Sequence, residues 1–199
     1  VVEWVMYLKN TGTKDTPIIE NILPLNNTIS VSDKTPVLHY SRGALCCLDD
    51  YAPIEQKLEP GSRVDLQPGG GRSSSEVMPF FNIDLGSQGI VVGIGWTGEW
   101  AATFSSDSMN NVQVQAGMEL THLKLHPAEE IRTPRVLLLF WQANDTDAAD
   151  RQRFRGNNLL RRFILAHHRP QPNGKPLTLP IVFGSWGGWS AAEHIQNIN

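Results

Sequence analysis

The residues of this 199-residue chain best placed to hold a ligand come near its end, in Ser185-Trp186-Gly187-Gly188-Trp189. Two indoles, a hydroxyl and two glycines make a ligand-like turn between an apolar run, Ile181-Val-Phe183, and a capping-box start, Ser190 with Glu193 three positions on. Other residues of chemical promise point to structure instead. Asp49-Asp50 is a carboxylate pair, but vicinal carboxylates diverge on an extended chain, and a polar loop is expected there. His122 and His126 flank Leu123 and Leu125, an alternation that predicts a strand with both imidazoles on one side, too far apart for one ion. His167-His168 closes a helical pattern, where imidazoles cap the last carbonyls and favour the dipole. Cys46-Cys47 are adjacent; neighbours rarely pair, so there is neither a disulfide framework nor metal-ligand spacing. Trp96 and Trp100 flank a turn and are expected in core or interface packing. No catalytic constellation, metal site or cofactor motif emerges.

The elements that must carry these residues are mainly β. Up to about Glu130, strand-sized runs alternate with turn signals: Trp4–Leu8, Thr16–Leu23, Pro36–Tyr40, Ser62–Leu66, Pro79–Leu85, Ile90–Trp96, Trp100–Phe104 and Val112–Gln115. Short strands with regular turns predict an antiparallel sandwich. Thr133–Trp141 is the most apolar run and is expected to be a central strand. From Asp147 to about His168 the period changes: Phe154, Leu159, Leu160, Phe163 and Ile164 fall at helical spacing, with arginines between them and a wobble at Gly156. Arg169-Pro-Gln-Pro-Asn-Gly-Lys-Pro176 reads as a linker.

The expected organisation is therefore a β-sandwich over 1–144, a linking amphipathic helix over 145–168, a linker over 169–176, and one strand and helix over 177–199. A lone β/α unit cannot bury both faces and needs parallel neighbours to close a sheet or barrel, so the last segment reads as the beginning of a second domain that the chain leaves truncated. The opening Val1-Val-Glu-Trp4, without Met, suggests that the sandwich is incomplete at its N-terminus.

Hydrophobic content of 40% and charge of 19% are those of an ordinary globular chain. A net charge of −3 with pI near 6.1 gives no reason to expect nucleic acid or a membrane. No signal or transmembrane run is visible, and the compartment, cytoplasmic or exported, stays open. Asn26-Asn-Thr28 and Asn144-Asp-Thr146 fit the N-glycosylation pattern.

The segment Gly70-Gly-Arg-Ser-Ser-Ser-Glu-Val-Met-Pro-Phe-Phe81, followed by Ile90-Val-Val-Gly-Ile-Gly-Trp-Thr-Gly-Glu-Trp100, resembles the N-terminal β-supersandwich of glycoside hydrolase family 36, the α-galactosidase-like enzymes. That family has a similar G-G-R-S-S then P-F-F run and a glycine-spaced strand before an aromatic turn. Thr133-Pro-Arg-Val-Leu-Leu-Leu-Phe140 is similar to its T-P-E-V-V-L-V-Y strand, and Arg151-Gln-Arg-Phe-Arg155 to the helix joining sandwich to barrel. Pro180-Ile-Val-Phe-Gly-Ser-Trp186 resembles the first strand of its catalytic (β/α)8 barrel, usually written N-S-W or C-S-W, so by the resemblance 177–199 is the start of such a barrel.

The resemblance implies a parent enzyme that hydrolyses terminal α-galactosides, or related sugars, with retention. It implies carbohydrate as partner and leaves open self-association, which the family often makes through this sandwich. Retention takes two carboxyls about 5–5.5 Å apart; the family's K-x-D nucleophile motif is absent here, so no catalytic residue is assigned. Gly69-Gly-Gly-Arg72 superficially resembles a glycine loop near the family's acid/base, but lacks its flanking cysteine and aspartate. By the resemblance, Trp186 is a sugar-contact residue at the C-terminal end of the first barrel strand, its indole suited to the C–H face of a pyranose, with Ser185 offering a hydroxyl beside it. Trp189 lies past the matching motif as a further candidate. The alternative is a stand-alone carbohydrate-binding or assembly sandwich; the Trp-rich tail after a linker argues for the enzyme-derived reading.

Overall fold

Arg63-Val-Asp-Leu66 and Trp100–Ser106 bury every second residue, the pattern of a sheet with one wet face. Phe80–Asp84 and Gln88–Gly95 instead bury consecutive residues, which requires cover on both faces. That contrast sets the layers. The computed structural model describes residues 1–30, 34–143 and 149–177, the side chains of 149–153 excepted.

In chain order the strands are β1 (Val2–Trp4), β2 (Tyr7–Lys9), β3 (Ile19–Glu20), β4 (Leu25–Ile29), β5 (Val37–Ser41), β6 (Pro53–Lys57) and β7 (Arg63–Leu66). They continue as β8 (Phe80–Asp84), β9 (Gln88–Gly95), β10 (Trp100–Ser106), β11 (Val112–Met118), β12 (His122–Leu123), β13 (Glu130–Arg132) and β14 (Arg135–Gln142), before helix α1 (Ala149–His167). A six-stranded sheet runs β1-β14-β9-β8-β5-β6 and a four-stranded sheet β4-β11-β10-β7, with two-stranded ribbons β12-β3 and β13-β2. All these pairings are antiparallel. Four of them are nested: β1 with β14, β2 with β13, β3 with β12 and β4 with β11.

The core lies between the two larger sheets. Leu38, Phe81, Ile83, Val92, Ile94 and Val136 meet Leu25, Val64, Trp100, Phe104, Val112 and Val114 there. Phe81 sits at its centre, its ring 5.5 Å from Trp100 and 5.1 Å from Phe104. The opposite face of the six-stranded sheet carries Asn82, Val91, Leu139 and Trp141, buried as well. A Cβ on Gly156 of α1 would lie 2.7 Å from the Trp141 indole and 3.0 Å from Val91. The helix backbone therefore rests directly on that face, at the position where the sequence suggested a wobble.

The structure is the mainly β, antiparallel sandwich that the alternation implies, and the helix falls where its period changes. Several boundaries differ. Trp4–Leu8 is not one strand but β1 and β2, pairing β14 and β13 in separate sheets. The register shifts by one residue between these ladders, at Thr133-Pro134. Pro134 has no N–H to give, and fully buried Thr133 substitutes: its Oγ1 accepts the Met6 N–H at 3.0 Å while its own N–H donates to Met6 O at 2.9 Å. Of Thr16–Leu23 only Ile19–Glu20 pairs; Asn21 turns left-handed, φ 54°, directly after it. The Thr133–Trp141 run yields β14, an interior strand that lies next to the edge rather than at the centre.

The described residues fall into two compact units, Val1–Arg162 and a second that begins at Phe163. In the second, the Phe163 ring lies 4.8 Å from the His167 ring and 5.4 Å from that of His168. The linker is itself closed. The Leu177 N–H donates to Pro170 O at 3.0 Å and Arg169 Nη2 to Leu177 O at 2.7 Å, around the left-handed pair Asn173-Gly174. The expected barrel strand and helix lie outside the described residues from Thr178 on, with Ser185, Trp186 and Trp189 among them. No helix among the described residues is long and apolar enough to cross a membrane.

Candidate ligand cleft

Antiparallel register sets four side chains in a row across the helix-covered face. Glu55 of β6 is opposite His39 of β5, His39 is opposite Asn82 of β8, and Asn82 is opposite Val91 of β9. Strands lie about 4.8 Å apart, so the row makes a floor. Phe154, Asn157 and Leu160 of α1, three residues apart and on one helix face, form one wall. Tyr51, from the end of the β5–β6 connection, and Pro53, which opens β6, form another. Together with Phe80, Ser41 and their neighbours they enclose a cleft of about 320 Å³, wholly within the first unit.

The β5–β6 connection is unusually well braced. The Asp50 carboxylate accepts the Leu45 N–H at 2.9 Å and the Cys46 N–H at 3.0 Å. These bonds hold its pKa below the ordinary carboxylate value, the one from Leu45 foremost. Arg42 pairs with Asp49 at 3.0 Å. Gly43 and Ala44 donate to the Glu76 and Ser74 carbonyls at 2.8 and 2.9 Å, and a Cβ on Gly43 would stand 2.2 Å from the Ser75 carbonyl oxygen. Asp49-Asp50 is thus a polar loop, as its sequence suggests. Within this frame Tyr51 is held left-handed, φ 63°, though 60% of it is exposed. A bulky residue in that region costs on the order of 1–3 kcal/mol.

His39 sits between two carboxylates: Nδ1 is 3.5 Å from Glu55 Oε1, and Nε2 is 3.5 Å from Asp84 Oδ2. Both distances exceed the usual hydrogen-bond range of about 2.7–3.2 Å, and Nε2 is buried without a hydrogen bond among the described residues. Asn82, only 2% exposed, accepts the Trp141 Nε1–H at 2.8 Å and so ties the cleft floor to the helix seat. Burial pushes the Tyr40 phenol above its ordinary value. Among the described residues no Lys or Arg lines the cleft, and Glu55 is its one carboxylate.

The other residues singled out by sequence are dispersed. Trp100 is fully buried, its Nε1 donating to Ser73 O at 2.8 Å. Trp96 is half-buried, with the Arg132 guanidinium 5.1 Å from its ring. Gly69–Arg72 is a surface loop held by the Gly71 N–H on Glu99 Oε1 at 2.9 Å and by Arg72 Nη2 on Ala44 O at 3.2 Å. His122 and His126 do not share a strand, because β12 ends at Leu123; each has its own carboxylate instead. His122 Nδ1 lies 2.6 Å from Glu20 Oε1 and His126 Nδ1 2.7 Å from Asp15 Oδ1. The bond to Asp15 raises the His126 pKa above its ordinary value. Cys46 and Cys47 are exposed and free. Asn26 lies exposed on edge strand β4, while Asn144–Thr146 is outside the described residues. Among the described residues no His, Cys, Asp and Glu cluster fits a metal ion. Sequence reasoning missed His39, Tyr51, Glu55 and Asn82. The available signal was a polar residue in each of two apolar strands, Val37-Leu-His39 and Phe80-Phe-Asn82.

The sandwich is similar in fold to about a fifth of several solved α-galactosidases, one of them a GH36 enzyme. The α-galactosidase of Lactobacillus brevis matches with a TM-score of 0.58 and 14% identity over 69% of this chain and 19% of its own. The galactosidase domain of the α-galactosidase–sucrose kinase AgaSK matches at 0.58 and 18% identity over 70% and 20%. A doubly substituted GH36 α-galactosidase AgaA of Geobacillus stearothermophilus, solved in complex with stachyose, matches at 0.54 and 19% identity over 69% and 20%. The chain spans about a fifth of the length of these structures. No family model matches the sequence, and no curated protein does.

Proposed function

We propose that the chain is the non-catalytic N-terminal sandwich of an α-galactosidase-like retaining glycoside hydrolase, capping and shaping the active site of a barrel mostly outside this chain. The observation that carries the reading is the fold shared with three α-galactosidases, in each of which the matched part is about a fifth of the chain. On this reading 1–144 is the sandwich, 145–168 the linking helix, 169–176 the linker and 177–199 the first barrel strand and helix. Trp186, with Ser185 and Trp189 beside it, then meets the sugar at the barrel's mouth, and carbohydrate is the partner.

The test is the intact mass of the native polypeptide together with its action on an aryl α-galactoside. A barrel takes about 250 residues or more, so a mass well above 22.1 kDa is expected. Hydrolysis is expected to release the α-anomer first by NMR, and Trp186→Ala to raise KM. A native mass near 22.1 kDa, or a larger chain inert toward α-galactosides, overturns the reading.

A further inference from the structure

The cleft over β5, β6 and β8 lies away from the segment that carries Trp186 in sequence, and nothing in the proposed enzyme requires it. We propose that it is a separate carbohydrate site that holds a single pyranose residue. Its size is the first argument: about 320 Å³ is at the small end of the roughly 300–1,000 Å³ range of ligand pockets, enough for one ring and not for a chain. Its chemistry is the second. Cation or anion binding is disfavoured: no Lys or Arg among the described residues lines it, and no metal-binding cluster occurs among them. A purely apolar ligand would cover the polar groups of His39 and Asn157. What remains is a neutral molecule with an apolar face and a rim of hydroxyls. Hydroxyls both donate and accept, which the imidazole, carboxylate and amide can answer, while Tyr51 and Phe80 supply flat apolar surface.

The third argument is the loop. Three sets of contacts, from Arg42, Asp50 and the Gly43-Ala44 amides, hold an exposed tyrosine in a conformation that bulky residues avoid. Such outliers persist where the surroundings over-determine them, and they cluster at ligand clamps. Here the tyrosine so held is one that lines the cleft.

Titrating the full native chain with D-galactose, and separately with stachyose, while following backbone amide shifts reads this site apart from any barrel site. The amides of Tyr51, Glu55 and Asn157 are expected to shift along one saturation curve. Galactose alone shifting them marks a site for free monosaccharide; stachyose shifting them too marks a site for the terminal residue of a chain. Tyr51→Ala is expected to weaken the curve about fivefold. Asn157→Ala, on the exposed side of a helix, should weaken it without a folding defect, and Tyr7→Ala, an exposed tyrosine elsewhere, should leave it unchanged. Hydrolysis of an aryl α-galactoside should be the same in all three variants. Cleft amides that do not move with either sugar, or a curve that both Tyr51→Ala and Asn157→Ala leave intact, overturn the proposal. Loss of hydrolysis alone would bear on the enzyme reading and not on this one.

Discussion

Replacing Gly156 by alanine sets two effects of known size against each other. In an exposed helix the change stabilises by about 1 kcal/mol. Here the new methyl would stand 2.7 Å from Trp141 Cδ1 and Nε1 and 3.0 Å from Val91 Cγ2, roughly 1 Å inside the ordinary carbon contact of about 3.5–4.0 Å. Both neighbours are buried, Trp141 4% and Val91 2% exposed, so the indole in particular must shift within a packed layer. Overpacking of this kind costs about 1–3 kcal/mol. Moving the indole also stretches its 2.8 Å bond to buried Asn82, a loss of about 1–3 kcal/mol. The expected net effect is a destabilisation of about 1–5 kcal/mol, read by urea denaturation, with a red shift of tryptophan emission as the indole is disturbed. Gly156→Val should cost more. A Gly156→Ala protein as stable as the parent, or about 1 kcal/mol more so, would refute the seating of α1 on Trp141.

Thr133→Val keeps the shape but removes the acceptor of the Met6 N–H; a loss of about 1–3 kcal/mol is expected, with faster hydrogen exchange at Met6 than elsewhere in the sandwich. Trp100→Phe removes the donor to Ser73 O and leaves a void in the core; about 2–4 kcal/mol should be lost in thermal or urea unfolding. The His126–Asp15 contact makes a pH-dependent contribution of defined sign. His126, raised by its bond to Asp15, stabilises fully below its ordinary 6.5, and that contribution disappears as pH rises through the raised value. Asp15, lowered chiefly by its bond to Lys124, stabilises above its ordinary 3.8 and loses its effect as pH falls through the lowered value. An NMR titration should show the His126 pKa falling in Asp15→Asn; an unchanged value would exclude the contact.

The sandwich was legible where its strands alternate buried with more exposed positions. Ser62–Leu66, Trp100–Phe104 and Val112–Gln115 all lie within observed strands or a residue of them. Strands β4 and β6 were not legible. Leu25-Asn-Asn-Thr-Ile29 is apolar only at its ends and Pro53-Ile-Glu-Gln-Lys57 at few positions, because edge strands face water and are kept polar. Trp4–Leu8 read as continuous because its break is imposed from outside, by Thr133-Pro134 far along the chain. The cleft was hidden for a related reason. Its floor draws one residue from each of four strands, so only register brings Glu55, His39, Asn82 and Val91 together. Sequence favours residues that are neighbours in the chain, but Asp49-Asp50 braces its own loop, and His122 and His126 each pair with a carboxylate distant in the chain.

The nested pairing of β1 to β4 with β14 to β11 has a consequence for how the chain comes to be folded during synthesis. A ribosome delivers the N-terminal strands first, and each must wait for its partner. Hairpins such as β5–β6 and β10–β11 can form at once, but β4 is fixed only when β11 arrives, then β3 by β12, β2 by β13 and β1 by β14. The molecule closes from the inside outward. Each closure brings the next pair nearer, so the outermost, with the longest separation, does not meet the full entropy of a loop that long. Of these eight strands Val2–Trp4 is made first and secured last, and until β14 appears it is an unpaired edge open to the wrong neighbour.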